Sequence, residues 1–205
     1  MKKMLWLVMV MLMTGSVFGQ GTNGWQIAEK YDRSFTGWAK GGSMVKGGSV
    51  SIDKVTGKMI SLSAMRVRMK NSPGEMEVKK TFDIPVAKQG KEIVVEILLG
   101  YNFKTDLGDA EAYCSVKALN KRGEQLSLKE ISRQKTGGTL QGTSTDMEVN
   151  RLVLSSEETK TITAIQVVFR AKTTVWFTDV GMLGKNNKNC IAELWIRSLT
   201  IKEQE

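Results

Sequence analysis

Apolar and polar residues alternate with a period of two along most of this chain, and the three-to-four spacing of an amphipathic helix is nearly absent. The clearest run is EIVVEILLGYNF. Ile93, Val95, Ile97, Leu99, Tyr101 and Phe103 fall on one face, and Glu92, Val94, Glu96 and Leu98 on the other. Both faces are partly apolar, which predicts a central strand covered on two sides. EMEVKKTFDI places Met76, Val78, Phe82 and Ile84 on one face, interrupted by Lys80. AYCSVKAL places Ala112, Cys114, Val116 and Ala118 together, so Cys114 is expected to point inward. KMISLSAMRVRMK changes phase: Ile60, Leu62 and Ala64 share one face, Met65, Val67 and Met69 the other. A β-bulge near Ala64 would reconcile the halves.

Turn-forming clusters punctuate these runs at KGGS, VTGK, NSPGE, AKQGKE, NKRGE and GKNNKN. AYCSVKALNKRGEQLSLKEI reads as a hairpin with its tip near Gly123. Residues 132–146 are polar and glycine-containing, the pattern of a long surface loop and a candidate lip for a binding site. Short strands separated by regular turns predict an all-β fold, a two-sheet antiparallel β-sandwich of about nine or ten strands. No internal repeat or linker divides the chain, so residues 20–205 are expected to form one domain.

The first residues change the picture of where the protein works. Lys2 and Lys3 precede an apolar run from Met4 to Met13, and Gly15, Ser16 and Gly19 follow. That is the three-part pattern of a secretory signal peptide, expected over residues 1–19. The run is too short to span a bilayer, which takes roughly 20 residues. The expectation is a secreted or periplasmic protein with no stable membrane span after cleavage. Cys114 and Cys190 are the two cysteines. In an exported chain an even count predicts a disulfide between them.

The formal net charge is +9. The basic residues are scattered rather than gathered into a block, so nucleic acid is not an expected partner. A basic exported protein could meet an anionic polysaccharide, and a lysine-rich surface could equally serve solubility alone. The chain has no histidine. That excludes Ser-His-Asp and Cys-His catalysis and imidazole-based zinc sites. Asp106, Asp109 and Glu111 in KTDLGDAEAY form a close acid cluster that could be solvated, bind a cation or act in catalysis, and paired-carboxylate geometry for glycoside hydrolysis is not evident in it. The expectation is a protein that is not an enzyme.

The order of segments resembles the galactose-binding-like β-jelly roll, the fold of many non-catalytic carbohydrate-binding modules. The resemblance runs from NGWQIAEKYDRSFTGWAK through TGKMISLSAMRVRM and VKKTFDIPVAKQGKEIVVEILLGYN to ITAIQVVFRAKTTVWFTDVGML. It covers roughly residues 24–202 as a pattern of apolar positions. TTVWFTDVGML matches the late strand of such modules, with Thr178 where a first acid is usual and Asp179 as the second. The resemblance implies that Asp179 lies near a structural calcium or caps the sheet edge. Calcium takes six to eight oxygens, so one carboxylate does not make a site. Either 174–183 or 192–202 is the final strand.

The resemblance also implies a carbohydrate ligand, with aromatic side chains stacking on sugar rings. Trp25, Trp38, Tyr101, Trp176 and Trp195 are the aromatics to weigh, and for each tryptophan core packing competes with binding. Ile196 and Phe177 are expected inward, opposite in phase to Trp195 and Trp176. A loop site would join Trp25 and Trp38 to residues 132–146, with Trp38 as its platform because FTGWAKGGS is glycine-flanked. A sheet-face site would use Tyr101 and Tyr113. The loop site is the preferred expectation. The alternative function is a structural or protein-interaction β-sandwich with no sugar site.

Overall fold

The computed structural model describes residues 24–43, 47–56, 61–105, 108–136, 142–174 and 190–204. Among the described residues eleven strands run in chain order: β1 Gln26–Lys30, β2 Ala39–Gly41, β3 Gly48–Thr56, β4 Ser61–Lys70, β5 Gly74–Asp83, β6 Ile93–Lys104, β7 Asp109–Leu119, β8 Gln125–Thr136, β9 Gly142–Leu154, β10 Ala164–Thr174 and β11 Ile191–Glu203. They form two antiparallel sheets. The first, sheet A, has the order β3-β4-β11-β6-β9, with β1 also paired to β11. The second, sheet B, has the order β2-β5-β10-β7-β8. The two pack face to face as a β-sandwich, as the alternating pattern predicts, with the jelly-roll arrangement that the resemblance implies.

The inner faces supply the core. Ile93, Val95, Ile97 and Leu99 of β6 meet Val78, Ile165, Val167, Phe169, Cys114 and Val116 of sheet B, all fully buried. Burying one such large side chain contributes about 1.5–3 kcal/mol, so this alternation alone fixes which face of each strand turns inward. Val94, on the other face of β6, is buried too, in keeping with a central strand. The β7–β8 hairpin turns where expected. Gly123 adopts φ +77°, and Asn120 Oδ1 accepts from the backbone N–H groups of Arg122 and Glu124.

Three expectations are corrected, and one open alternative is resolved. The β3–β4 ladder runs in unbroken register from Gly48–Met69 to Thr56–Ser61, so no bulge interrupts it at Ala64. One irregularity of sheet A lies instead in β11, between Ile196 and Ser198. There β11 stops pairing with β4, at Met65, and starts pairing with β1, at Ser198. Residues 132–146 are not one long loop, because β8 extends to Thr136 and β9 begins at Gly142. The chain's last strand is β11, which sits inside sheet A rather than at its edge. The 174–183 alternative lies, from residue 175 on, outside the described residues.

The expected Cys114–Cys190 disulfide is absent. Both side chains are buried, but at different places. Cys190 Sγ lies 3.8 Å from the carbonyl oxygen of Asp109, at the start of β7. Cys114 is five residues further along that strand, about 17 Å at the usual rise. A disulfide needs Cα atoms within about 7 Å. Phase predicted the inward direction of Cys114 correctly, and position along the strand prevents the bond.

Candidate functional site

The preferred loop platform does not exist. Trp38 is 7 % exposed and belongs to the core. Gly37 turns the chain at φ +82°, and the indole that follows stacks on Phe169 with ring centres 5.0 Å apart. Tyr31 and Phe82 meet it edge-on at 5.7 and 6.3 Å. Its Nε1–H donates to Glu29 Oε2 at 3.2 Å, and the Tyr31 hydroxyl donates to the same oxygen at 2.7 Å. Lys80, the interruption in β5, bonds Glu29 Oε1 and so ties sheet B to β1 of sheet A. The glycine flanks that suggested a surface loop are the turn that carries Trp38 inward. Trp25 is half-buried and packs against the same core.

Tyr101 is also corrected. It is 6 % exposed on the inner face of β6, stacked with Phe103 at 6.2 Å. Arg133 reaches it from β8, 5.8 Å from the ring centre. Burial raises its hydroxyl pKa. Ile196 is fully buried and Trp195 faces outward, as their phases predict. Asp179, Trp176, Phe177 and Asp106 lie outside the described residues. Asp109 opens β7, where its Oδ2 accepts from Thr174 Oγ1 at 3.3 Å. Among the described residues no three acids, cysteines or histidines come together as metal ligands do.

Tyr113 is the expected site residue that stands on a surface. It alternates with Ala112 and Cys114, so its ring projects from the outer face of sheet B. Strand register sets its neighbours. Across the sheet in one row lie Glu77, Arg170, Tyr113 and Ser132. The row on one side holds Glu75, Lys172, Glu111 and Gln134, and the row on the other holds Lys79, Val168, Ser115 and Glu130. Val168 and Ser115 are buried and form a flat floor beside the ring. The Arg170 guanidinium carbon lies 3.8 Å from the Tyr113 ring centre, and its Nη1 lies 3.0 Å from Glu75 Oε2. Partial burial raises the Tyr113 hydroxyl pKa. Arg170 opposes that, and Glu77, Glu130 and Glu75 add to it.

This arrangement offers a half-buried aromatic plane, a fixed guanidinium, and carboxylates interspersed with lysines. Such a surface presents a C–H-compatible face next to both donors and acceptors, which is what a hydroxyl-rich ring needs. Sequence reasoning missed Arg170, Glu75 and Glu77. Each is ordinary within its own strand, and only the non-local register of β5, β10 and β7 brings them to Tyr113.

No family model matches the chain, and no curated protein matches it. Solved structures do match. The CBM22-1–GH10 modules of a Clostridium thermocellum endo-1,4-β-D-xylanase, complexed with xylohexaose, align with a TM-score of 0.50 at 14 % identity, over 87 % of this chain and 28 % of that one. The CBM22-1 xylan-binding domain from Paenibacillus barcinonensis aligns with a TM-score of 0.43 at 12 % identity, over 87 % of this chain and 94 % of that one. The enzymatically active domain of tailspike protein 4 from bacteriophage CBA120 aligns with a TM-score of 0.45 at 12 % identity, over 80 % of this chain. The chain spans 19 % of that tailspike and 28 % of the xylanase fragment. At these identities the likeness is one of fold: this chain folds as a carbohydrate-binding-module-like β-jelly roll.

Proposed function

We propose that this protein is an exported, non-catalytic module that binds a polysaccharide chain on the outer face of sheet B. The observation that carries the reading is Tyr113, held half-exposed by Arg170 at 3.8 Å amid Glu75, Glu77, Lys79 and Glu130. The shared fold supports it, since the CBM22-1–GH10 xylanase fragment, 28 % of which this chain spans, is complexed with xylohexaose. Export rests on the signal-peptide pattern of residues 1–19. The non-catalytic reading rests on the absence of histidine and on Glu75 being engaged by Arg170. Acids and bases alternate on this face, which favours a neutral chain read through its hydroxyls over a strongly charged one.

Affinity electrophoresis through gels containing xylan, mixed-linkage glucan or galactan tests the reading. Retardation by at least one of these neutral polysaccharides is expected, lost in Tyr113→Ala. No retardation by any of them, or equal retardation of the variant, would overturn it. Release of reducing ends from the retained polysaccharide would refute the non-catalytic part.

A further inference from the structure

The outer face of sheet A carries a second constellation that the Tyr113 site does not use. Trp195 projects from β11 and is half-buried. Its neighbours in register are Arg66 on β4 and Gly100 on β6. Gly100 puts no side chain beside the indole. The β6–β9 ladder also skips there, from Leu99–Glu148 to Tyr101–Ser144, so Gly100 has no directly opposed residue in β9. The Arg66 guanidinium carbon lies 5.2 Å from the Trp195 ring centre.

The next row holds Arg68, Glu193 and Asn102. Glu193 is 4 % exposed, although it points away from the core. Arg68 Nε lies 2.9 Å and Arg66 Nη1 3.8 Å from its Oε1, and Asn102 Nδ2 donates to its Oε2 at 2.7 Å. Arg66 Nη2 is further held by Asp53 at 3.0 Å. A buried carboxylate thus fixes two guanidinium groups and an amide beside a tryptophan. The third row places Lys70 and Lys104 on either side of Ile191. The patch carries Arg66, Arg68, Lys70 and Lys104 against Glu193 and Asp53, so it is net positive.

We propose that this face is a second binding site, specific for an acidic polysaccharide. Trp195 stacks against a pyranose ring, and Lys70, Lys104 and the two arginines hold the carboxylates of the flanking uronate units. A nucleic acid would also offer stacking and negative charge. Asp53 argues against it, because a phosphodiester strand would meet that partly exposed carboxylate beside the arginines. A uronate chain brings hydroxyl donors that Asp53 can accept. The two sites lie on opposite faces of the sandwich, so one molecule would bridge two polysaccharide chains. The inference does not rest on the Tyr113 site.

Affinity electrophoresis through polygalacturonate at low and physiological salt tests the proposal with the full chain. Wild-type protein is expected to be retarded, with a residual part surviving physiological salt because stacking is not screened. Trp195→Ala should weaken binding at least tenfold, and the Lys70→Glu, Lys104→Glu double variant should weaken it at least as much. Tyr113→Ala should bind polygalacturonate as the wild type does. The double variant alters strand-end lysines outside the core, one exposed and one half-buried, so it reads the site even if Trp195→Ala folds poorly. No retardation of the wild type, unchanged retardation of the double variant, or equal retention of a single-stranded oligothymidylate would overturn the proposal.

Discussion

Arg170 lies over the Tyr113 ring, its guanidinium carbon 3.8 Å from the ring centre, and Glu75 Oε2 holds Nη1 of the same guanidinium at 3.0 Å. The contact joins two neighbouring strands, β10 and β7, on the outer side of sheet B, and a third strand, β5, completes it. Cation–π contact of this kind is worth about 0.5–1 kcal/mol at an exposed site. It fixes the ring in one orientation rather than holding the fold together. Arg170→Lys keeps the charge but loses the planar stack. It should weaken polysaccharide binding several-fold while moving Tm by no more than a few degrees, as read by affinity electrophoresis and a thermal melt.

Trp38 should behave in the opposite way. It stacks on Phe169 and donates to Glu29 in the core. Trp38→Ala removes a buried aromatic and leaves a cavity, at a cost of about 3–5 kcal/mol. Urea denaturation should show that loss. Any protein that remains folded should bind polysaccharide as tightly as the wild type, which separates Trp38 from the site.

Lys80 should matter for stability although it is charged and part of an otherwise apolar phase. It bonds Glu29 across the two sheets and lies over the Phe82 ring at 5.3 Å. Lys80→Ala leaves Glu29 with its Tyr31 and Trp38 donors only. The expected cost is about 1–3 kcal/mol, the range for removing one partner of a mostly buried polar group. Chemical denaturation reads it.

Glu158 gives a pH dependence. Lys129 Nζ lies 2.8 Å from its Oε1, Ser127 Oγ donates to the same oxygen at 2.6 Å, and the Ser155 backbone N–H donates to its Oε2 at 2.8 Å. Led by the Lys129 bond, these hold its pKa at about 2, against an ordinary 4.5. The folded state therefore binds its proton more weakly than the unfolded state. The stability it contributes is complete above 4.5 and is lost as pH falls towards 2. Glu158→Gln should show a shallower fall in stability over that window than the wild type. Equal slopes would remove Glu158 from the acid transition.

Much of the fold was legible in the chain, and the reason is local. The alternation from Ile93 to Phe103 needs no partner strand to be read, and the structure buries every one of those inner positions. The turn at Gly123 likewise depends on four neighbouring residues. Trp38 was misread because glycines on both sides look the same in a surface loop and in a turn that aims a side chain inward. The expected disulfide failed because inward phase says nothing about position along a strand. Tyr113 was legible as an outward aromatic between Ala112 and Cys114. Its partners were not, because Arg170 is set by the pairing of residues 57 positions apart, Tyr113 with Arg170. Local patterns reveal faces, and only register reveals neighbours.

The central claim is that Tyr113 on sheet B is the aromatic of a polysaccharide site. The most direct measurement is isothermal titration of wild-type protein and Tyr113→Ala with xylohexaose, the probe suggested by the fold's structural relative. A measurable heat of binding for the wild type is predicted. Loss of one stacking aromatic should cost about 1–3 kcal/mol by analogy with base stacking, roughly a 5- to 150-fold weaker Kd, with an unchanged thermal melt. Equal affinity of the two proteins, or no binding by either to xylohexaose or to any neutral polysaccharide that retards other modules of this fold, would contradict the account.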